Sequence, residues 1–168
     1  MLLEPSEFFL PASSFDFTEL DIALTYAGGT NSATVELLSD TPCSDCVTGD
    51  SPGAILESWS VTNLPLFSTC CTLQALSGNG TVPLTAGAVY WVEVLPGDTT
   101  SVVQWNSNTT GDVGIFEDNH GFGWGGGTSR TLGALAVLGS EEISSPEPGT
   151  GVLVSIAGLT LFLKLRSR

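Results

Sequence analysis

From Leu20 to Gly139 the apolar residues alternate with polar ones in short stretches, each bounded by Gly, Pro, Asn, Asp or Ser. Leu20, Ile22 and Leu24 alternate with Glu19, Asp21 and Ala23. Val35 and Leu37 alternate with Thr34 and Glu36, and Ile55, Glu57, Trp59 and Val61 follow Ser51-Pro52-Gly53. Further runs cover residues 69–76, 89–95, 102–105, 113–117 and 132–138. The 89–95 run is apolar on both faces, with Val89, Trp91 and Leu95 against Tyr90, Val92 and Val94, which marks a central strand. No long helical period interrupts these runs. About eight strands at this spacing, with turns at 27–29, 78–80 and 96–98, predict an all-β fold, an antiparallel sandwich of jelly-roll type over residues 15–140, with an up-and-down barrel as the alternative.

The pattern changes at the C-terminus. Gly149 to Leu163 carries no charge, and Lys164, Arg166 and Arg168 follow it. A helix over this run reaches roughly 22 Å at about 1.5 Å per residue, a short transmembrane span that Leu165 and the stems of the basic residues lengthen. The basic cluster acts as a membrane stop and places the preceding chain on the outer side. Ser144-Ser145-Pro146-Glu147-Pro148 stands directly before the run, and Pro146 and Pro148 deny the backbone donors a helix needs. The order of Pro146-Glu147-Pro148, short apolar helix and basic tail closely resembles a PEP-CTERM sorting signal. That resemblance implies export from an exopolysaccharide-producing Gram-negative bacterium and processing near the triplet by an exosortase-type enzyme. It also implies transient anchoring in the inner membrane and a final place at the cell surface or in the extracellular matrix.

In the body, LLSDTPCSDCVTGDSPGAILESWSVTNLP, STCCTLQAL, LTAGAVYWVEV and LGALAVLG together resemble the choice-of-anchor R domain, a β-sandwich module of secreted bacterial proteins. The match runs from Phe15 to Gly139, and the loop from Pro42 to Gly49 looks longer than the family's usual one. This family implies no activity. The expected organisation is an N-terminal segment at 1–14, the sandwich at 15–140, a linker at 141–148 and the sorting helix with its tail at 149–168. Met1-Leu2-Leu3-Glu4 has no basic region and no apolar stretch of a signal peptide, so the expectation is a start placed too late or a truncated gene.

Composition narrows the function. The 168 residues carry 18 acidic and four basic side chains, a net charge of -14. Arg130 is the one cation before Lys164, so a chain ending at Ser145 holds 17 acids against one base and has a net charge of -16. Such a body cannot displace counterions from phosphates, which excludes nucleic acid as a partner. The absence of lysine before Lys164 excludes Schiff-base chemistry.

Cys43, Cys46, Cys70 and Cys71 are an even set that favours disulfides outside the cytoplasm, with Cys43-Cys46 the most local pair and cross-pairing open. Adjacent Cys70 and Cys71 point to opposite faces of an extended strand, which argues against zinc. The acidic loop around Cys43 and Cys46 offers neither cation nor helix N-terminus to activate a thiol. His120, the one histidine, lacks a nucleophile elbow and reads as a loop residue. Asp118, Asn119 and the glycines from 121 to 127 match no calcium-loop spacing and read as a hairpin loop. Of Trp59, Trp91, Trp105 and Trp124, only Trp124 stands among glycines and reads as exposed.

No catalytic residue, metal ligand or cofactor is expected. The leading expectation is a non-enzymatic surface or matrix protein, with exosortase and exopolysaccharide as partners. The alternatives are a carbohydrate-binding module, which calls for a row of exposed aromatics, and a secreted hydrolase, which calls for a cleft holding His120 with a serine or paired carboxylates.

Overall fold

A computed structural model describes residues 4–46, 48–69, 72–119 and 124–141. Twelve strands are described: β1 (Glu4–Phe9), β2 (Phe15–Ile22), β3 (Leu24–Gly28), β4 (Ser32–Pro42), β5 (Asp50–Thr62), β6 (Gln74–Ser77), β7 (Pro83–Leu84), β8 (Tyr90–Pro96), β9 (Val102–Trp105), β10 (Val113–Asn119), β11 (Trp124–Thr131) and β12 (Leu135–Glu141). All pair antiparallel within their sheets, and the described residues contain no helix. The segment carrying Pro146, Glu147, Pro148, the apolar run, Lys164, Arg166 and Arg168 lies outside the described residues, as do Cys70, Cys71 and His120. No helix of the described residues is long and apolar enough to cross a membrane.

The larger sheet has the order β11-β10-β1-β8-β4-β5. Its strand β8 lies between β1 and β4, the interior place that its two apolar faces predict. The smaller sheet runs β12-β2-β6, with β7 added on β2, and β3 pairs with β9 alone. Val35, Leu37, Val92 and Val94 of the larger sheet meet Phe17, Leu20 and Ile22 of β2 in one core, so the sheets face each other as in a sandwich. Phe17 and Leu20 both point inward although they are three positions apart, an odd offset. The register of β2 against β12 slips at Thr18, a bulge that restores the phase.

The strand pattern departs from the sequence expectation in four places. The 20–24 run breaks at Ala23, whose N–H donates to Ala134 O at 3.1 Å and whose carbonyl accepts from Asn106 N at 2.9 Å, so the chain leaves β2 and enters the β3–β9 pair. The expected 69–76 strand shortens to β6, with Thr72 and Leu73 exposed. Glu4–Phe9, set apart from the sandwich by sequence, pairs with both β8 and β10 inside the larger sheet. The glycine run, expected as a loop, contributes Gly125 and Gly126 to β11, where they pair with Asp118 and Glu117. A ladder needs only backbone donors and acceptors, so a partner strand can hold glycines that side-chain patterning would assign to a turn.

Candidate functional site

The four strands of the smaller sheet, β7 being only two residues long, do not cover all six of the larger one. Along β1 and β12 this mismatch leaves a trough. Its central cavity, about 500 Å³, takes in Glu7, Phe9, Leu73, Leu135 and Ala136, with Asn108, Thr110 and Asp112 on one rim. A second cavity of about 350 Å³ shares Glu7 and Gly133 with it and adds Gln104, Trp105, Ser107, Arg130 and Thr131. A third of about 300 Å³ shares Phe9 and Leu135 and continues to Leu10, Phe15 and Val137. The three cavities adjoin through these shared residues, with polar lining at the Arg130 end, apolar lining at the Phe15 end, and Asp21 and Asp112 beside Glu7 in the central cavity.

Glu7 marks the junction. Its neighbours across the sheet are Val92 on β8 and Phe116 on β10, so its side chain lies on the core-facing surface. It is only 3% exposed. The Gly133 N–H donates to its Oε1 at 2.6 Å. Burial raises its pKa above the ordinary carboxylate value, while the Gly133 hydrogen bond and the Arg130 charge act in the opposite direction. Arg130 lies over the Phe116 ring, 2.9 Å from its centroid, on the same face of the sheet. Gly133 is required here, because a Cβ at this position would run into the Trp105 indole. The other rim is stiffened by Asn108, whose Oδ1 accepts from Gly111 N at 2.9 Å and Asp112 N at 3.1 Å while its Nδ2 donates to Leu132 O at 2.9 Å.

A second polar site lies on the opposite face of the larger sheet. Glu36, Glu93, Ser6 and Glu117 are consecutive cross-strand partners, one from each of β4, β8, β1 and β10. Ser6, Glu93 and Glu117 are buried. The β4–β5 hairpin bends over them through two register shifts near Leu38, and its tip is closed by a Cys43–Cys46 disulfide. From that tip the Thr48 hydroxyl donates to Glu117 Oε1 at 3.2 Å, so the tip spans β8 and β1 to reach β10. Glu117 Oε2 is buried without a hydrogen-bond partner. Burial raises the Glu117 pKa, the Thr48 bond opposes that shift, and the Asp50 charge adds to it. Among the described residues no group of three or more His, Cys, Asp or Glu side chains is placed to hold a metal ion.

The tryptophans form no exposed row. Trp91 is fully buried on the outer face, edge-on to Phe8 with centroids 5.4 Å apart, and its Nε1–H donates to Asp40 Oδ1 at 2.9 Å. Trp59 packs edge-on against Phe17, Trp105 donates to Ala134 O at 3.3 Å, and Trp124, expected to be exposed, is half-buried in β11. Neither polar site was singled out from sequence. A signal was present for Glu7, since period two puts it on the face of Phe9 while Ser6 and Phe8 take the other, and an acid in a strand with phenylalanine on both faces is destined for burial. The partner Gly133, 126 positions away, carried no such mark.

Comparison of the chain with family models, with curated proteins and with solved structures finds no match to any of the three.

Proposed function

We propose that the chain is an exported, non-enzymatic protein of the cell surface or extracellular matrix, sorted through a PEP-CTERM-like signal by an exosortase-type enzyme. In this reading the body is a jelly-roll sandwich related to the choice-of-anchor R domain, and the 149–163 run is a transmembrane helix that holds the chain in the inner membrane until cleavage. The observation that carries the reading is the order of Pro146-Glu147-Pro148, apolar run and Lys164, Arg166, Arg168 at the end of the sequence. The Cys43–Cys46 disulfide supports it, because such bonds persist outside the reducing cytoplasm. The segregated charge supports it as well: removal of the tail takes away three of the four cations and leaves an acidic product that anionic lipid repels.

Intact mass spectrometry of the protein from a host with an exosortase tests the proposal. The expected product ends near Pro146. Replacing Pro146, Glu147 and Pro148 by alanine leaves an uncut, membrane-associated form. A surface-resident chain that still ends in Arg168 overturns the processing claim and reduces the segment to a plain anchor.

A further inference from the structure

We propose that the trough along β1 and β12 is a binding site for a single-chain amphiphile, an alkyl or acyl chain carrying an uncharged, hydroxyl-rich head. This inference stands independently of the export reading, since it uses only the described sandwich.

The trough differs in chemistry at its two ends, and its central cavity mixes apolar side chains with Glu7, Asp21 and Asp112. Phe9, Phe15, Leu135 and Val137 line its far part and offer no charged or amide group, whereas Gln104, Ser107, Arg130 and Thr131 line the near part. From Gly133 to Val137 the wall extends roughly 13 Å at about 3.3 Å per residue, a length suited to a medium alkyl chain. Leu73, 53% exposed, borders the central cavity, and Leu10, 52% exposed, borders the apolar far one, where an occupant would cover them. A free sugar would leave that apolar wall wet, and a simple hydrocarbon would bury Gln104, Ser107 and Thr131 without partners.

Charge selects the head. Glu7 and Arg130 stand together at the polar end, and the Arg130 charge acts on Glu7. An anionic head that approaches Arg130 meets the Glu7 carboxylate, with Asp21 and Asp112 in the adjoining cavity and a net charge of -14 on the whole chain. A cationic head that approaches Glu7 meets Arg130. Hydroxyl groups can donate to the carboxylate and accept from the guanidinium at once, and the Gln104 amide, with both donor and acceptor, extends the same pattern. The stiff Asn108 rim and the Glu7–Gly133 bond hold the site open before a ligand arrives.

The test is calorimetric titration of the full chain with n-octyl-β-D-glucoside below its micelle concentration, beside octanoate and glucose. Thermal unfolding with each ligand gives a second readout. Octyl glucoside is expected to bind saturably near one per chain, at least tenfold tighter than octanoate or glucose, and to raise the melting temperature. Ala136→Trp places a bulky ring in the central cavity from an exposed position, and Leu73→Glu charges its exposed border. Each is expected to weaken octyl glucoside at least tenfold, while Ile55→Glu, exposed on β5 at the far edge of the larger sheet and lining none of the three cavities, leaves binding unchanged. Because the two exposed positions differ, a fold defect in one leaves the other decisive. Failure of octyl glucoside to saturate, octanoate or glucose binding as tightly, or full binding by both variants each overturns the proposal. The last outcome assigns the heat to another part of the chain, such as its apolar C-terminal run.

Discussion

The two faces of the larger sheet are covered by different means, and their contents differ accordingly. The inner face lies under another sheet, whose backbone groups are already paired, so Val35, Leu37, Val92 and Val94 pack into an apolar core with Phe17, Leu20 and Ile22. The outer face lies under a hairpin tip. A loop carries polar side chains and unpaired backbone with it, and the buried set beneath this one is Trp91, Leu38, Ser6, Glu93 and Glu117. Each face buries an acid on a strand flanked by others, but Glu7 receives a backbone N–H at 2.6 Å while Glu117 keeps one oxygen without a partner. Burial alone therefore does not distinguish them. What distinguishes them is the donor: a backbone N–H at 2.6 Å for Glu7, against one hydroxyl at 3.2 Å for Glu117 that leaves its second oxygen buried and unsatisfied.

If the outer face is a second core in its own right, Trp91→Ala is expected to cost about 3–5 kcal/mol in denaturant unfolding, matching a large inner-face truncation. A loss below about 1 kcal/mol would reduce the hairpin tip to a loose cover. On the inner side, Glu7→Ala opens a cavity and strands the Gly133 N–H, with an expected cost of about 1–3 kcal/mol. The Cys43→Ser, Cys46→Ser double variant loosens only the tip, and its short loop limits the expected loss to about 2 kcal/mol by urea titration. Wild-type melts with and without reductant provide the same contrast.

Glu117→Gln has the smallest expected effect and the opposite sign, a gain of about 1 kcal/mol at pH 7 that fades toward pH 4. The sign follows from linkage. Glu7 and Glu117 have folded pKa values raised above the ordinary 4.5, so the folded chain binds the extra protons. Their contribution to stability is fully present below that value and is lost as pH rises through the raised pKa values. Asp98 behaves in reverse. Hydrogen bonds from Thr30, Thr100 and Ser101 hold its pKa well below the ordinary 3.8, so its contribution is present above that value and is lost as pH falls further. Melting temperature recorded from pH 3 to 8 is expected to peak on the acid side of neutrality, with a shallower decline toward pH 8 in Glu117→Gln. An identical decline in both proteins would show that Glu117 does not titrate in this range.

Strand character, antiparallel pairing and the interior place of Tyr90–Pro96 were legible in the sequence, because alternation and two-sided apolarity are properties of a strand and its immediate neighbours. Cys43 and Cys46, three positions apart, were the most local of the pairings that sequence left open, and the structure joins them. Tertiary structure alone decided that Glu4–Phe9 joins the larger sheet, that Gly125 and Gly126 serve as ladder residues, and that the tip of one hairpin crosses two strands to Glu117. It alone assembled the trough, whose walls come from Glu7, Trp105 and Arg130, far apart along the chain. Local sequence sets which way each side chain points within its own strand. Which strands lie side by side, and where a four-stranded layer stops short of a six-stranded one, depends on the free energy of joining distant segments, and no short window of sequence contains that quantity.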